Sequence, residues 1–227
     1  MLKRQDTGDL AGTTALGALV AFLLLVLTVT RRGGAPLFGD TDLLDWSLGH
    51  RPRAAVAVAR ALTYTGTGFV PFLLVAAAGL LTGRTGRQRA LAAAACVVCL
   101  AAGQAARYGV MTLAARPRPA RRDWITHASG WSFPSGHTTT AAITAGLLAL
   151  AVLARAPRGR AQLVAAALGW GALVGLTRVY LGVHWFSDVL GGWLFALCWL
   201  GVCTYAAARL APRVYDGRPE PVVSSPP

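Results

Sequence analysis

The chain is poor in charge, and lysine and glutamate occur once each. Only 14% of its 227 residues are charged, and Lys3 is the single lysine among 22 basic residues. A soluble domain carries nearer a quarter of its residues charged, so the deficit excludes an ordinary water-soluble fold. Cysteine is scarce as well, and Cys96, Cys99, Cys198 and Cys203 all fall inside apolar runs. Cys96-x-x-Cys99 has the spacing of a metal or redox pair but no second ligand pair, so the four read as small thiols within membrane helices. The formal charge of +13 comes with no basic helix and no aromatic stacking platform, which argues against nucleic acid as a partner. The arginines fall instead in short loops between apolar runs, where cations set topology and meet lipid head groups.

What the chain has in abundance is apolar length. Its residues are 55% hydrophobic and its mean hydropathy is +0.51. Six runs, at roughly 11–30, 63–82, 90–115, 136–154, 161–182 and 187–210, each approach the length needed to cross a hydrocarbon core of about 30 Å. The first follows Lys3 and Arg4 like a signal peptide. Its length and the want of a small-residue cleavage site make it a span instead. Between the first two runs, Asp40, Asp42, Leu43, Leu44, Asp45 and Trp46, followed by Arg51, Arg53 and Arg60, have the mixed character of a helix lying in the interface. The expected fold is therefore all-α: a polytopic membrane protein, a six-transmembrane-helix bundle with an interfacial helix after the first span. One domain covers 1–212, and the Pro- and Ser-rich 213–227 reads as a disordered cytoplasmic tail.

Orientation follows from the cations. Lys3, Arg4, Arg84, Arg87, Arg89, Arg155, Arg158, Arg160, Arg209, Arg213 and Arg218 collect on one side, which the positive-inside rule makes cytoplasmic. Both termini then lie inside. The loop before Ser135 and the loop holding His184 share the opposite, extracytoplasmic face of the plasma membrane.

Three polar clusters fall on that face. Phe133-Pro134-Ser135-Gly136-His137 is a turn opening onto the fourth run; Ser135 is a good N-cap, and a helix start offers unpaired N–H groups and a positive dipole end to an anion. Arg178, His184 and Asp188 flank the sixth run, with the histidine and aspartate one helical turn apart. Arg116-Pro117-Arg118-Pro119 lies just upstream. An ionised aspartate beside an apolar run is costly without a partner, which marks Asp188 as functional. Arg116, Arg118, Arg121 and Arg122 also admit a plainer role as interfacial charges facing lipid phosphates, although Arg118 is the better fit to catalysis. His50 and His127 match no motif, although His127 falls in the loop facing the clusters. Trp124, Trp131, Phe133, Tyr180, Trp185 and Phe186 read as an aromatic belt at head-group depth, and Gly171, Gly175, Gly191 and Gly192 as sites of close helix packing.

Taken together, Arg-Pro at 118–119, Pro-Ser-Gly-His at 134–137 and Thr177-Arg178-x5-His184-x3-Asp188 resemble the three-part signature of the type 2 phosphatidic acid phosphatase superfamily, over about Met111 to Asp188. There are two departures. Thr177 stands where the family has serine, which keeps the hydroxyl. Seven residues before Arg118 stands Met111, and seven before Arg116 stands Gly109; neither is the lysine of the first motif, which removes one phosphate-binding cation. Arg107 lies one turn before Met111 on the same helical face, where a long guanidinium can take that lysine's place.

The resemblance implies a membrane lipid phosphatase working through a phosphohistidine. His184 would be the nucleophile, Asp188 its orienting carboxylate, and His137 the proton donor and later the base. Arg118, Arg178, Ser135, Gly136 and Arg107 would hold the phosphoryl oxygens. The acids are too few for a magnesium site and the histidines lack zinc-type spacing, so no metal or cofactor is expected. For a bacterial source, the family points to undecaprenyl diphosphate, phosphatidic acid or phosphatidylglycerol phosphate as substrate, held in the lipid bilayer. The same residues also admit a phosphotransferase, a catalytically weak lipid-phosphate-binding protein, or a transporter using Arg107; six spans argue against a soluble haloperoxidase of the same family. Oligomeric state is not legible in the sequence.

Overall fold

The structure, a computed structural model, describes residues 4–155 and 158–210. The tail expected at 213–227 lies outside them, as does Lys3. Among the described residues eight α-helices follow one another: α1 Arg4–Arg31, α2 Asp40–Gly49, α3 Arg53–Thr65, α4 Phe69–Thr82, α5 Gly86–Ala114, α6 Gly136–Arg155, α7 Arg160–Tyr180 and α8 Phe186–Leu210. Among the described residues there is no strand. α1, α5, α6, α7 and α8 are each long and apolar enough to cross a membrane, and α3 with α4 forms a sixth, bent span.

The second span differs from its expected course. A continuous run over 63–82 was expected, but Thr63–Thr65 ends α3 and the chain bends by 55° before α4. Glycine causes the break. Gly68 has φ +63 with ψ −139, a conformation closed to side chains, and a Cβ on Gly66 would run into the Val174 side chain of α7. Trp170 of α7 fixes the end of α3 by donating from Nε1 to the Thr65 hydroxyl at 2.8 Å. The straight part of this span is only 14 residues long, about 21 Å of helix.

The helices pack where side chains are small. α1 lies along α8, with a Cβ on Gly201 only 2.7 Å from that of Ala15 and one on Gly12 3.1 Å from Tyr205. At Gly171 a Cβ would come within 2.8 Å of Ala145, at Gly175 within 3.0 Å of Thr138 and at Gly192 within 2.9 Å of Thr138. Such approaches let backbones close up in lipid, where apolar burial gives helices no reason to associate. α5 starts on a capping box, in which the Gln88 N–H donates to the Thr85 hydroxyl and the Thr85 N–H to the Gln88 side chain. It ends at Ala115, which carries a positive φ of 43 and turns the chain sharply into Arg116. Phe133 departs from the expected aromatic belt. It is fully buried, stacked on Phe22 with ring centroids 6.0 Å apart, in space that a side chain at Gly191 would occupy.

Candidate active site

The three polar clusters meet at one end of the bundle, around a cavity of about 800 Å³. His137 and Gly136 reach it from the start of α6, Arg178 from the end of α7, His184 from the α7–α8 connection, Arg118 from the α5–α6 connection and Arg107 from α5. His127, unassigned in the sequence, lies in the same lining with Ser129, Gly130 and Trp131. His50 is elsewhere, stacked on Trp46 with Nδ1 2.7 Å from the Trp46 carbonyl.

His184 is buried, and both ring nitrogens are engaged. Nδ1 lies 3.2 Å from Asp188 Oδ2 and Nε2 lies 2.8 Å from the Arg118 Nη1. An arginine can only donate, so Nε2 carries the lone pair and Nδ1 the proton. Burial pushes the imidazole pKa well below its ordinary value, and the charges of Arg118, Arg178 and Arg107 push the same way. The ring is therefore neutral at pH 7, with its lone pair aimed away from the carboxylate. Asp188 falls in the first turn of α8, where a carboxylate meets the positive end of the helix. Its Oδ2 also accepts from the Trp185 N–H at 2.9 Å.

Cations line the other walls. Arg118 is fixed by four carbonyls, those of Ser129, Gly130, Trp131 and Val183, at 2.8–2.9 Å. Burial lowers its pKa from the usual arginine range. Arg178 donates from Nη1 to the Thr63 hydroxyl at the end of α3, 3.0 Å away. Arg107 does reach the site: a Cβ built on Gly136 would lie 3.4 Å from its Cζ. Its Nη1 is 3.2 Å from the Met111 sulfur. At the mouth of α6, the first intrahelical bond runs from the Thr139 N–H to the Ser135 carbonyl. The N–H groups of Gly136, His137 and Thr138 thus lie at the open helix end.

Several polar atoms here are buried without a partner: the Nε of Arg107, the Nε of Arg178, the Ser135 hydroxyl and the Gln104 Oε1. Ser135 departs from its expectation as a side-chain N-cap, since its hydroxyl accepts from none of the first-turn N–H groups. The two guanidinium Nε–H groups and the hydroxyl are donors, the kind of group an anion site offers, whereas the Gln104 Oε1 can only accept. Among the described residues no group of three or more His, Cys, Asp or Glu could hold a metal ion.

Arg116 proves different from Arg118. It is fully buried and away from the cavity, and its five N–H donors are all used. Nε donates to the Gly34 carbonyl, Nη1 to Ser187 Oγ and to Asp188 Oδ1 at 2.6 Å, and Nη2 to the Ala35 carbonyl and to Asp40 Oδ2 at 2.8 Å. The interfacial role open to Arg116 from sequence is thereby corrected: two carboxylates draw it into the protein. Arg121 and Arg122 are exposed, and Arg121 lies over the Trp124 ring. Asp40, which no motif marks, is the partner that sequence reasoning missed. Its one signal is an acid opening a helix between the first two spans.

Fold and site together define a polytopic helical membrane protein with a two-histidine, arginine-lined cavity at one end. The PAP2 superfamily model matches residues 91–211, and the chain belongs to that superfamily. Phosphatidylglycerophosphatase B of Bacillus subtilis is 37% identical over 78 residues, 32% of this chain and 37% of that protein. Phosphatidylglycerophosphatase B of Escherichia coli K12 is 37% identical over 94 residues, 41% of this chain and 35% of that one. The lipid A 1-phosphatase of Rhizobium etli is 45% identical over 69 residues, covering 30% and 26% respectively. The matched stretch thus spans about a third of the length of the phosphatidylglycerophosphatases. The crystal structure described as the first transmembrane PAP2 type phosphatidylglycerolphosphate phosphatase, from Bacillus subtilis, superposes with a TM-score of 0.66 at 21% identity, over 90% of this chain and 99% of that one. That likeness concerns the fold.

Proposed function

We propose that the chain is an integral membrane lipid phosphatase, hydrolysing a phosphate monoester or diphosphate of a lipid through a phosphohistidine at His184. The observation that carries this reading is His184 itself: a neutral imidazole, anchored by Asp188 at Nδ1, turns its Nε2 lone pair toward an Arg118 N–H in the same cavity as His137, Arg107 and Arg178. The matched relatives, named as phosphatases of phosphatidylglycerophosphate and of lipid A, support the reaction class.

The chemistry runs in two displacements. When the substrate binds, the Arg118 N–H that rests on Nε2 moves to a phosphoryl oxygen and uncovers the lone pair. Nε2 attacks phosphorus; the P–O bond to the lipid, or to the rest of a diphosphate, breaks. His137 gives its proton to the departing oxygen. Asp188 stabilises the positive charge that develops on the ring, as a carboxylate does behind a catalytic histidine. His137 then takes a proton from water, the water oxygen attacks phosphorus, the N–P bond breaks, and inorganic phosphate leaves. Arg107, Arg118, Arg178, the Ser135 hydroxyl and the Gly136 N–H hold the non-bridging oxygens throughout. Positioning and charge stabilisation supply most of phosphoryl-transfer catalysis. With three guanidiniums in place, the reaction needs no metal.

Undecaprenyl diphosphate, phosphatidic acid and phosphatidylglycerol phosphate are the substrates to try. The cations collected in the loops at the opposite end support a cavity on the extracytoplasmic face of a plasma membrane. The test is phosphate release from a panel of these lipids by purified protein in detergent with a chelator present. Release that disappears in His184→Ala supports the proposal; release that survives the substitution overturns it. Phosphate recovered on an added alcohol instead of in solution would make the protein a transferase.

A further inference from the structure

The acid-rich connection after α1 takes no part in the chemistry above, yet one of its side chains is wired to the nucleophile. Asp40 opens α2 and is fully buried. Its Oδ1 accepts from the Ser187 N–H at 2.8 Å, and its Oδ2 from the Ser187 hydroxyl at 2.6 Å and from Arg116 Nη2 at 2.8 Å. Arg116 Nη1 donates in turn to Asp188 Oδ1, and Asp188 Oδ2 faces His184. Four ionisable side chains therefore form one row, Asp40–Arg116–Asp188–His184, drawn from three separate parts of the chain.

We propose that Asp40 is a positioning residue: it holds Arg116, and through Arg116 the Asp188 carboxylate, where Asp188 orients His184 for attack. The inference rests on the reading of His184 as the nucleophile. A guanidinium shared between two carboxylates is balanced between them. Without the charge of Asp40, Arg116 has one buried carboxylate left, and its full attraction falls on Asp188. That draws negative charge from the Nδ1 side of the imidazole, where it is needed as the ring becomes cationic. Ser187, next to Asp188 in α8, donates twice to Asp40, so the same carboxylate also fixes the backbone from which Asp188 projects. Asp40 touches neither the cavity nor the substrate, so its loss acts on the chemical step and not on lipid binding.

The test is Asp40→Asn, with Asp42→Asn as a control on the exposed face of the same helix. Asp40→Asn lowers kcat about 10-fold and leaves KM within about twofold, a loss of the size seen when groups that orient a ligating histidine are removed; Asp42→Asn changes neither. In an Asp188→Asn background the further effect of Asp40→Asn vanishes, because the route runs through Asp188. A general loss of packing would multiply the two effects instead, and that result, or an unchanged kcat in Asp40→Asn, overturns the proposal. Orthovanadate gives a reading independent of turnover: Asp40→Asn weakens its binding, measured by calorimetry, about 10-fold and leaves that of inorganic phosphate unchanged. If the wild type releases phosphate from no lipid, the functional reading fails alone, and equal vanadate affinity in wild type and Asp40→Asn then overturns this one. Should Asp40→Asn not fold, Ser187→Ala serves. It removes one bond to Asp40 and one to Arg116 and lowers kcat and vanadate affinity about threefold; no change in either overturns the proposal.

Discussion

Arg107 and Met111 touch one helical turn apart, with the guanidinium Nη1 3.2 Å from the thioether sulfur. Both line the cavity, and in the proposed function Arg107 takes the part of the motif lysine whose position Met111 fills. A charge-assisted contact of this kind contributes about 1.5–3 kcal/mol. Arg107→Ala therefore lowers kcat/KM about 10- to 100-fold. Adding Met111→Lys to that variant restores most of the loss, which steady-state phosphate release measures directly.

Asp188→Asn leaves the Nδ1 partner in place but removes its charge and allows the wrong tautomer. In a serine-protease triad the corresponding change costs about four orders of magnitude. Here kcat falls at least about 100-fold. The amount of protein trapped with phosphate on histidine, measured in a rapid acid quench, falls with it.

The pH dependence has a definite sign. His184 attacks only when neutral, and burial with Arg118, Arg178 and Arg107 around it holds its pKa below the ordinary imidazole value. Activity is thus kept as pH falls through about 6.5, where a free histidine would already be half protonated. Arg118→Gln removes one of those cations, raises the His184 pKa and moves the acid limb of kcat/KM to higher pH, alongside a loss of rate. A pH–rate profile of the two proteins checks it.

Arg116→Ala leaves Asp40 and Asp188 as facing buried carboxylates with no cation between them. Removing one partner of a buried ion pair costs about 3–5 kcal/mol. A large fall in thermal stability in detergent follows. Arg121→Ala, whose side chain is exposed, leaves the melting temperature unchanged.

The residues nearest the chemistry were the easiest to see from sequence. His137, His184, Asp188, Arg178 and Arg118 lie in short motifs whose spacing survives folding, and Arg107 follows from helical periodicity once Met111 is found in the lysine position. Asp40 had no such marker. Its partner Arg116 is 76 residues away, and a buried pair formed across that separation leaves no periodic trace. Arg116 and Arg118 are alike in sequence, two positions apart between prolines. Ala115, turning with positive φ at the end of α5, sends the first inward to the carboxylates while the second faces the cavity. The break between α3 and α4 was hidden for another reason. The uncharged residues 63–68 pass as the start of the apolar run, and only the approach of Val174 and the backbone angle of Gly68 show why a helix cannot continue there.

That break has a consequence for how a substrate arrives. Thr67 and Phe72 on one side and Ala105 and Tyr108 on the other line the cavity, and Ala105 and Tyr108 are also exposed on the flank of the bundle. The lining of the chamber thus continues onto the lateral face of the bundle, between the α3–α4 break and α5. On the proposed reading as a lipid phosphatase, a phosphorylated lipid would slide its head group in between α4 and α5 while its tail stays among its neighbours, with no cost of extraction. Turnover then follows the crowding of substrate within the leaflet: diluting it with inert lipid slows the reaction, and adding buffer does not.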